Sequence, residues 1–318
     1  MHTVAIAIFP DVQALDVAGP ADVFAEANSF LPRDAHYALE LVSTGDAHIR
    51  ASNGTHLFAD RVWDGSADRY HTALVAGGPL LPTQAADARL CAWLVEVASQ
   101  SERYGSICTG AFALGHAGLL DNRNVTTHWQ NARQLAEQFP LSRVDFDRIY
   151  LRDERLLTSA GVTAGIDLAL ALVAEDHGAA LALQVAKRLV VYAQRRGGQS
   201  QFSPYLSAPV DGSPIATVQH YVMEHIANPL TVEELARVAG MSTRSFARAF
   251  AESAEITPHE FVERARVDAA RRALESSDAP LKTIAYECGF GNADRMRLVF
   301  ARRIGVSPAD YRASFRAR

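Results

Sequence analysis

The chain has 318 residues, 48% hydrophobic and 21% charged, an ordinary balance for a soluble protein with room for two packed domains. Its net charge of −5 is unevenly spread: residues 1–213 hold 16 Lys and Arg against 23 Asp and Glu, whereas residues 214–318 hold 15 against 13, which directs any nucleic acid to the C-terminal part. No apolar run is long enough to span a bilayer, no basic flank precedes the first apolar stretch, and three scattered cysteines argue against a disulfide framework or zinc ribbon, so a cytoplasmic protein without metal or cofactor is expected.

In chain order, Val4 to Phe9 runs apolar and suits a buried parallel strand that Pro10 and Asp11 end. A helix is predicted over Asp16 to Asn28, strands over Leu39–Ser43 and within Thr55–Val62, and a buried strand over Ala73–Ala76 that Gly77-Gly78-Pro79 closes. Ala85 to Ser99 reads as a helix with Leu90, Cys91, Leu94 and Val95 on its apolar side. Ser106-Ile107 then ends a strand, Cys108 stands at the turn, and Gly110 opens a helix. A nucleophile-type side chain at such an elbow is lifted beside a helix N-terminus, which favours its thiolate. Further strands are predicted at Asn124–Thr127, Ile149–Leu151 and Leu156–Thr158, and helices at Thr163–Glu175 and Ala180–Ala193. Alternating strands and helices imply an α/β fold with a doubly wound, mostly parallel sheet. Residues 195–213, rich in Gly, Pro and polar residues, read as a linker between a domain over 1–194 and a second over 214–318.

The second domain is written twice. Leu235-Ala236-Arg237-Val238-Ala239-Gly240-Met241 aligns with Ile284-Ala285-Tyr286-Glu287-Cys288-Gly289-Phe290, 49 residues later. Phe250, Thr257-Pro258 and Phe261 align with Phe300, Ser307-Pro308 and Tyr311 at a spacing of 50, with one residue inserted near Gly291. Thr231 to Glu234 forms a capping box, Gly240 ends a short helix, and Ser242 caps a second helix with Phe246, Ala249, Phe250 and Ser253 on one face. Arg244 and Arg248 share the opposite face, as a recognition helix in a major groove requires. An all-α domain with two helix-turn-helix motifs follows. Its candidate DNA-binding residues are Ser242, Thr243, Arg244, Ser245 and Arg248 in the first copy and Asn292, Asp294, Arg295 and Arg297 in the second. Thr257 to Leu274, with Phe261, Ala265, Ala269 and Leu274, is predicted to be one connecting helix.

Residues 214–318, closing in Phe300-Ala301-Arg302-Arg303-Ile304-Gly305-Val306-Ser307-Pro308-Ala309-Asp310-Tyr311-Arg312, resemble the AraC/XylS DNA-binding domain. The N-terminal part resembles the ThiJ/PfpI superfamily, with the flavodoxin-like fold of class I glutamine amidotransferases. The resemblance rests on Leu15-Asp16-Val17-Ala18-Gly19-Pro20, Ala76-Gly77-Gly78-Pro79, Ile107-Cys108-Thr109-Gly110, Val125-Thr126-Thr127-His128-Trp129 and Thr158-Ser159-Ala160-Gly161-Val162-Thr163. Joined, the two resemble GlxA-type regulators of the AraC family. The resemblance implies a homodimer formed through the N-terminal domain, double-stranded DNA as partner, and a small-molecule effector.

That resemblance sets Asp16 against the elbow cysteine and brings His128 near it, so the candidate pocket is Asp16, Gly77, Gly78, Cys108, Thr109 and His128. Peptidase-like relatives place histidine directly after the cysteine. Thr109 stands there instead and removes the nearest general base. The expected function is a DNA-binding transcriptional regulator controlled by a small molecule near Cys108, without catalysis. The alternative is a cysteine-dependent hydratase or hydrolase carrying an accessory DNA-binding module. Within the first reading Cys108 is expected to be the most acidic and exposed of the three thiols, which leaves a redox sensor open, and to share a proton with Asp16. Cys91 and Cys288 read as packed core residues.

Overall fold

The computed structural model describes residues 1–66, 69–146, 148–191, 213–254, 256–304 and 306–316. The chain divides into two compact units, Met1–Gln201 and Phe202–Arg318. Apart from Ser213, the predicted linker at 195–213 lies outside the described residues, as does Ala193 at the end of a predicted helix.

The first unit is built on a seven-stranded sheet in the order Tyr150–Asp153, Leu156–Ser159, Arg103–Ile107, Thr72–Val75, His2–Ile8, Tyr37–Ser43, Arg61–Val62. All neighbours are parallel except the first pair. Covering both faces explains the apolar runs that mark these strands. On one face Ala5, Ala7, Ala73 and Val75 pack with Leu90, Trp93, Leu94 and Phe112, from helices Ala88–Gln100 and Gly110–His116. On the other, Val4 and Leu157 meet Val23, Phe24, Leu168 and Val185, from helices Ala14–Ala27, Ala164–His177 and Ala179–Arg188. Near the strands' amino ends Arg103 donates to both oxygens of Asp176, at 2.8 and 2.9 Å, and Tyr37 donates to the same carboxylate at 2.9 Å.

Three local expectations are corrected. The predicted strand within Thr55–Val62 is two: His56–Phe58 pairs with His48–Arg50 in a separate ribbon, and only Arg61–Val62 joins the main sheet. The strand predicted at Asn124–Thr127 is Asn124–Val125, paired with Arg143–Val144 outside the main sheet. On helix Ala88–Gln100 the buried side is Leu90, Trp93, Leu94, Val97 and Ala98. Val95 is exposed and Cys91 only half-buried, because the wide rings of Trp93 turn that stripe inward.

The second unit is all helical: Pro214–Glu224, Val232–Val238, Thr243–Ala254, Pro258–Ser276, Leu281–Glu287, Ala293–Ile304 and Pro308–Arg316. Ser213 caps the first, accepting the Ala216 amide at 3.0 Å, and Pro214 occupies its first turn, where no amide partner is needed. Two separate cores reproduce the sequence repeat. Phe246, Phe250 and Phe261 fill the first; Met296, Phe300 and Tyr311 fill the second. The Phe250–Phe261 rings cross at 68° and the Phe300–Tyr311 rings at 73°. The long helix serves both cores, with Phe261, Val262 and Ala265 in one and Val267, Ala270 and Leu274 in the other. Ser253 is exposed, contrary to its predicted place on the buried face. Thr231 accepts the Glu234 amide as a capping box requires, but the Glu234 carboxylate takes the Tyr221 hydroxyl at 2.8 Å.

Candidate functional site

The carboxyl ends of four parallel strands converge on Cys108. It follows Arg103–Ile107 and adopts φ 56°, a left-handed backbone held because its amide donates to Ser159 O at 3.0 Å and its carbonyl accepts the Thr127 hydroxyl at 2.8 Å. Asp16 arrives on the helix after His2–Ile8. Its Oδ2 accepts the Gly77 amide at 3.0 Å, from the loop after Thr72–Val75, and its Oδ1 accepts the Val162 amide at 2.6 Å, from the loop after Leu156–Ser159. The approach is close enough to demand glycine. A Cβ on Gly77 would lie 2.6 Å from Asp16 Oδ2, and one on Gly161, at φ +79°, would lie 2.0 Å from Cys108 Cβ.

The electrostatics overturn the expectation of a reactive thiolate. Cys108 is 7% exposed, and burial, then the Asp16 charge, push its pKa well above the ordinary thiol range; the Thr109 amide opposes this more weakly. Asp16 Oδ2 and Cys108 Cβ lie side by side, 2.6 and 2.7 Å from where a Cβ on Gly77 would stand. Asp16 is raised to about 6, chiefly by burial, with the Val162 and Gly77 amides and the thiol pulling down. One proton therefore serves the pair near neutrality and resides on sulfur. Cys108 is also not the most exposed thiol: Cys91 is half-buried, whereas Cys288, like Cys108, is buried and is pushed to about 11.

Thr109 is held in place by the other glycine. Its hydroxyl donates to Gly78 O at 2.8 Å and accepts the Gly78 amide at 2.9 Å. His128 lies at the start of helix Trp129–Gln138, where burial lowers its pKa and its ring sits 5.7 Å from that of Trp129. Direct contacts tie Asp16, Gly77, Cys108 and Thr109 into one cluster, and Gly78 joins through Thr109. His128 packs on Trp129 instead of bonding into that cluster. The sequence reading missed Thr127, Gly161 and Val162 as parts of the elbow. The glycine just past a strand end, in Ser159-Ala160-Gly161, was the available signal.

In the second unit Gly240 at φ +66° and Gly289 at φ +76° make the two sharp turns, and the inserted Gly291 also has positive φ, 81°. Ser242 accepts the Ser245 amide at 3.3 Å, and Asn292 accepts the Arg295 amide at 2.8 Å, so both are caps. Thr243, Arg244, Ser245 and Arg248 are exposed on helix Thr243–Ala254. Arg248 lies 3.9 Å from Glu252. On helix Ala293–Ile304, Asp294 pairs with Arg297 at 3.2 Å, and Leu298 is exposed on the outer side. Among the described residues no helix is long and apolar enough to cross a membrane, and no group of acidic, His or Cys side chains could hold a metal ion.

A sheet with an elbow cysteine, joined to a duplicated helix-turn-helix, defines a DNA-binding transcriptional regulator. Residues 2–175 match the DJ-1/PfpI family and residues 235–314 a helix-turn-helix domain; the chain belongs to the DJ-1/PfpI family and carries an AraC-type DNA-binding domain. It is 30% identical over 278 residues to the HTH-type transcriptional regulator CdhR of Pseudomonas aeruginosa, covering 87% of this chain and 82% of that one. It is 30% identical over 286 residues to the HTH-type transcriptional regulator GlxA of Rhizobium meliloti, covering 87% and 85%. Its first unit is also similar to the isonitrile hydratase of Pseudomonas putida, 32% identical over 171 residues, covering 54% of this chain and 70% of that enzyme.

Proposed function

We propose that a small-molecule effector binds beside Cys108, in a pocket bounded by Asp16, Gly77, Gly78, Thr109 and His128, and that its occupancy controls DNA reading without turnover. The observation that carries this is the geometry of the elbow: Cys108 is buried against Asp16, and the threonine beside it, its hydroxyl tied to Gly78, supplies no base. In this reading residues 1–194 sense and dimerise, 195–213 link, and 214–318 bind double-stranded DNA through Ser242, Thr243, Arg244, Ser245, Arg248, Asn292, Asp294, Arg295 and Arg297. The test is a thermal-shift screen of the full chain against small metabolites, followed by DNA binding with each hit. A ligand at one hundred times its Kd stabilises the native state by about 2.7 kcal/mol. Cys108→Ser is expected to retain DNA binding and to alter the response to the hit, and sedimentation is expected to show a dimer.

The likeness to isonitrile hydratase, which covers 54% of this chain, supports a second reading as a cysteine-dependent hydratase. Incubating the full chain with an aryl isonitrile and measuring the formamide product separates the two. Turnover of about 1–1000 per second would overturn the sensor reading.

A further inference from the structure

Within the second unit the two helix-turn-helix halves flank a cavity of about 220 Å³ that is partly open to solvent. Its apolar lining includes Leu230, Val232 and Leu235 of the first half, Val262 of the long helix, and Phe290 and Val299 of the second half. Two guanidinium groups line it as well, Arg266 and Arg295.

Arg266 is only 9% exposed. Its Nε donates to Ile226 O at 3.4 Å, and its Nη2 donates to Asn228 O at 2.6 Å and Pro229 O at 3.2 Å. Nη1, with two more N–H groups, meets no acceptor among the described residues. Arg295 lines the same pocket, and burial, then the charge of Arg295, lower the pKa of Arg266. Neither forms an ion pair among the described residues. The acid that shares this cavity, Glu263, is already bound by Arg302 and Arg303. Some arginines of the unit pair with acids, Arg264 with Glu260 and Arg297 with Asp294. A largely buried guanidinium that shares a pocket with a second cation is costly without a counter-ion.

We propose that this cavity binds a small organic carboxylate, its anionic end bridging Arg266 Nη1 and Arg295 and its apolar part against Leu230, Val262, Phe290 and Val299. The volume equals that of roughly seven waters at ~30 Å³ each, which suits an arylacetate rather than a long-chain acid. Inorganic phosphate would use the charges and waste the apolar walls; a neutral apolar molecule would do the reverse. Arg295 stands in the first turn of the second copy's recognition helix, so a carboxylate held there competes with DNA for the same guanidinium. The coupling is reciprocal: ligand and DNA weaken each other by one factor. This site is independent of the one near Cys108.

The test titrates the full chain with phenylacetate, phenylacetamide and inorganic phosphate by calorimetry. Phenylacetate is expected to bind at one site per chain, about tenfold tighter than its amide, since a charge-assisted contact is lost with the carboxylate. In Arg295→Gln that preference disappears, and in Val299→Trp, which fills the cavity, phenylacetate binding is lost. Hydrogen exchange should show protection within residues 229–235 and 259–266. With wild-type protein, saturating phenylacetate weakens binding to a random-sequence duplex. If Val299→Trp melts early, the acid–amide comparison in wild type and Arg295→Gln decides. Equal affinity for acid and amide, no phenylacetate binding at millimolar concentration, or protection around Cys108 instead overturns the proposal. Phosphate binding as tightly as phenylacetate also overturns it and assigns the cavity to the DNA backbone.

Discussion

Replacing Asp16 with asparagine separates the charge of the elbow from its hydrogen bonds. Asp16 is fully buried, and its carboxyl is raised from 3.8 to about 6 because burial outweighs the amides and thiol that favour its ionised form. The folded state then holds the proton more tightly than the unfolded chain. Its contribution to stability is fully present below about pH 4, is lost as the pH rises to about 6, and is constant above. At about 1.4 kcal/mol per pH unit, a rise of this size makes that loss about 3 kcal/mol. Asparagine does not titrate, so this dependence disappears in Asp16→Asn. The variant carries a separate, pH-independent cost. Its single acceptor oxygen serves only one of the Gly77 and Val162 amides, and its NH2 faces the other, which costs about 1–3 kcal/mol. Urea denaturation of the N-terminal transition, in wild type and variant from pH 4 to 7, measures both. The variant should be clearly weaker at pH 4, and the gap should move by about 3 kcal/mol in its favour by pH 7. A gap that stays constant would show that Asp16 titrates as an ordinary carboxylate and that its burial carries no such penalty.

The thiols should alkylate in the order of their access. Iodoacetamide is expected to modify half-buried Cys91 before Cys108 or Cys288, and peptide mapping that finds Cys108 first would contradict the electrostatics of the elbow. Gly161→Ala forces a left-handed alanine against Cys108 and should destabilise the first unit by about 2–5 kcal/mol, and an unshifted melt would mean the elbow can move aside. Arg244→Ala should cost about 1–3 kcal/mol on a specific site and relax the preference there; an equal loss on random DNA would mean a backbone contact only. Helix Pro258–Ser276, 19 residues and so ~28 Å long, suits two recognition helices about one DNA turn apart. Footprinting should show two successive major grooves covered per protomer, and protection of one groove would refute that spacing.

The second domain was legible because a duplicated unit repeats its stereochemical demands. Both copies need a residue without Cβ at the turn, and Gly240 and Gly289 share positive φ. Both close their core with an aromatic pair, and the same crossing recurs at Phe250–Phe261 and Phe300–Tyr311. Two such coincidences, at spacings of 49 and 50 residues, are hard to produce without duplication. The parallel strands were legible for a different reason: burial on both faces leaves continuous apolar runs such as Val4 to Ile8. Phase within a helix was harder. Leu90 and Leu94 fit two overlapping stripes, one through Cys91 and Val95 and one through Trp93 and Val97, and only packing against the sheet selects the second. The ribbon of His48–Arg50 and His56–Phe58 was missed because pairing, not strand propensity, decides which sheet a short strand joins.

The acidity of Cys108 failed for a reason that reaches the function. A strand-to-helix elbow is a local pattern, and its geometry was recovered intact, down to the left-handed backbone. Acidity belongs to the surroundings. Asp16, distant in sequence, adds a negative charge, and closure of four loops over the sulfur removes the water that would solvate a thiolate. The same elbow can therefore stand in an enzyme or a sensor, and the motif alone does not separate them. What separates them is the fate of one proton. Raising the pH through the Asp16 window charges the carboxylate and makes ionisation of Cys108 still less favourable, because the second negative charge would sit beside the first. A ligand that donates a hydrogen bond or positive charge to Asp16 would reverse this balance and lower the thiol pKa on binding. In the sensor reading, effector binding should therefore raise Cys108 reactivity from a low basal level, whereas a catalytic cysteine would be reactive before its substrate arrives.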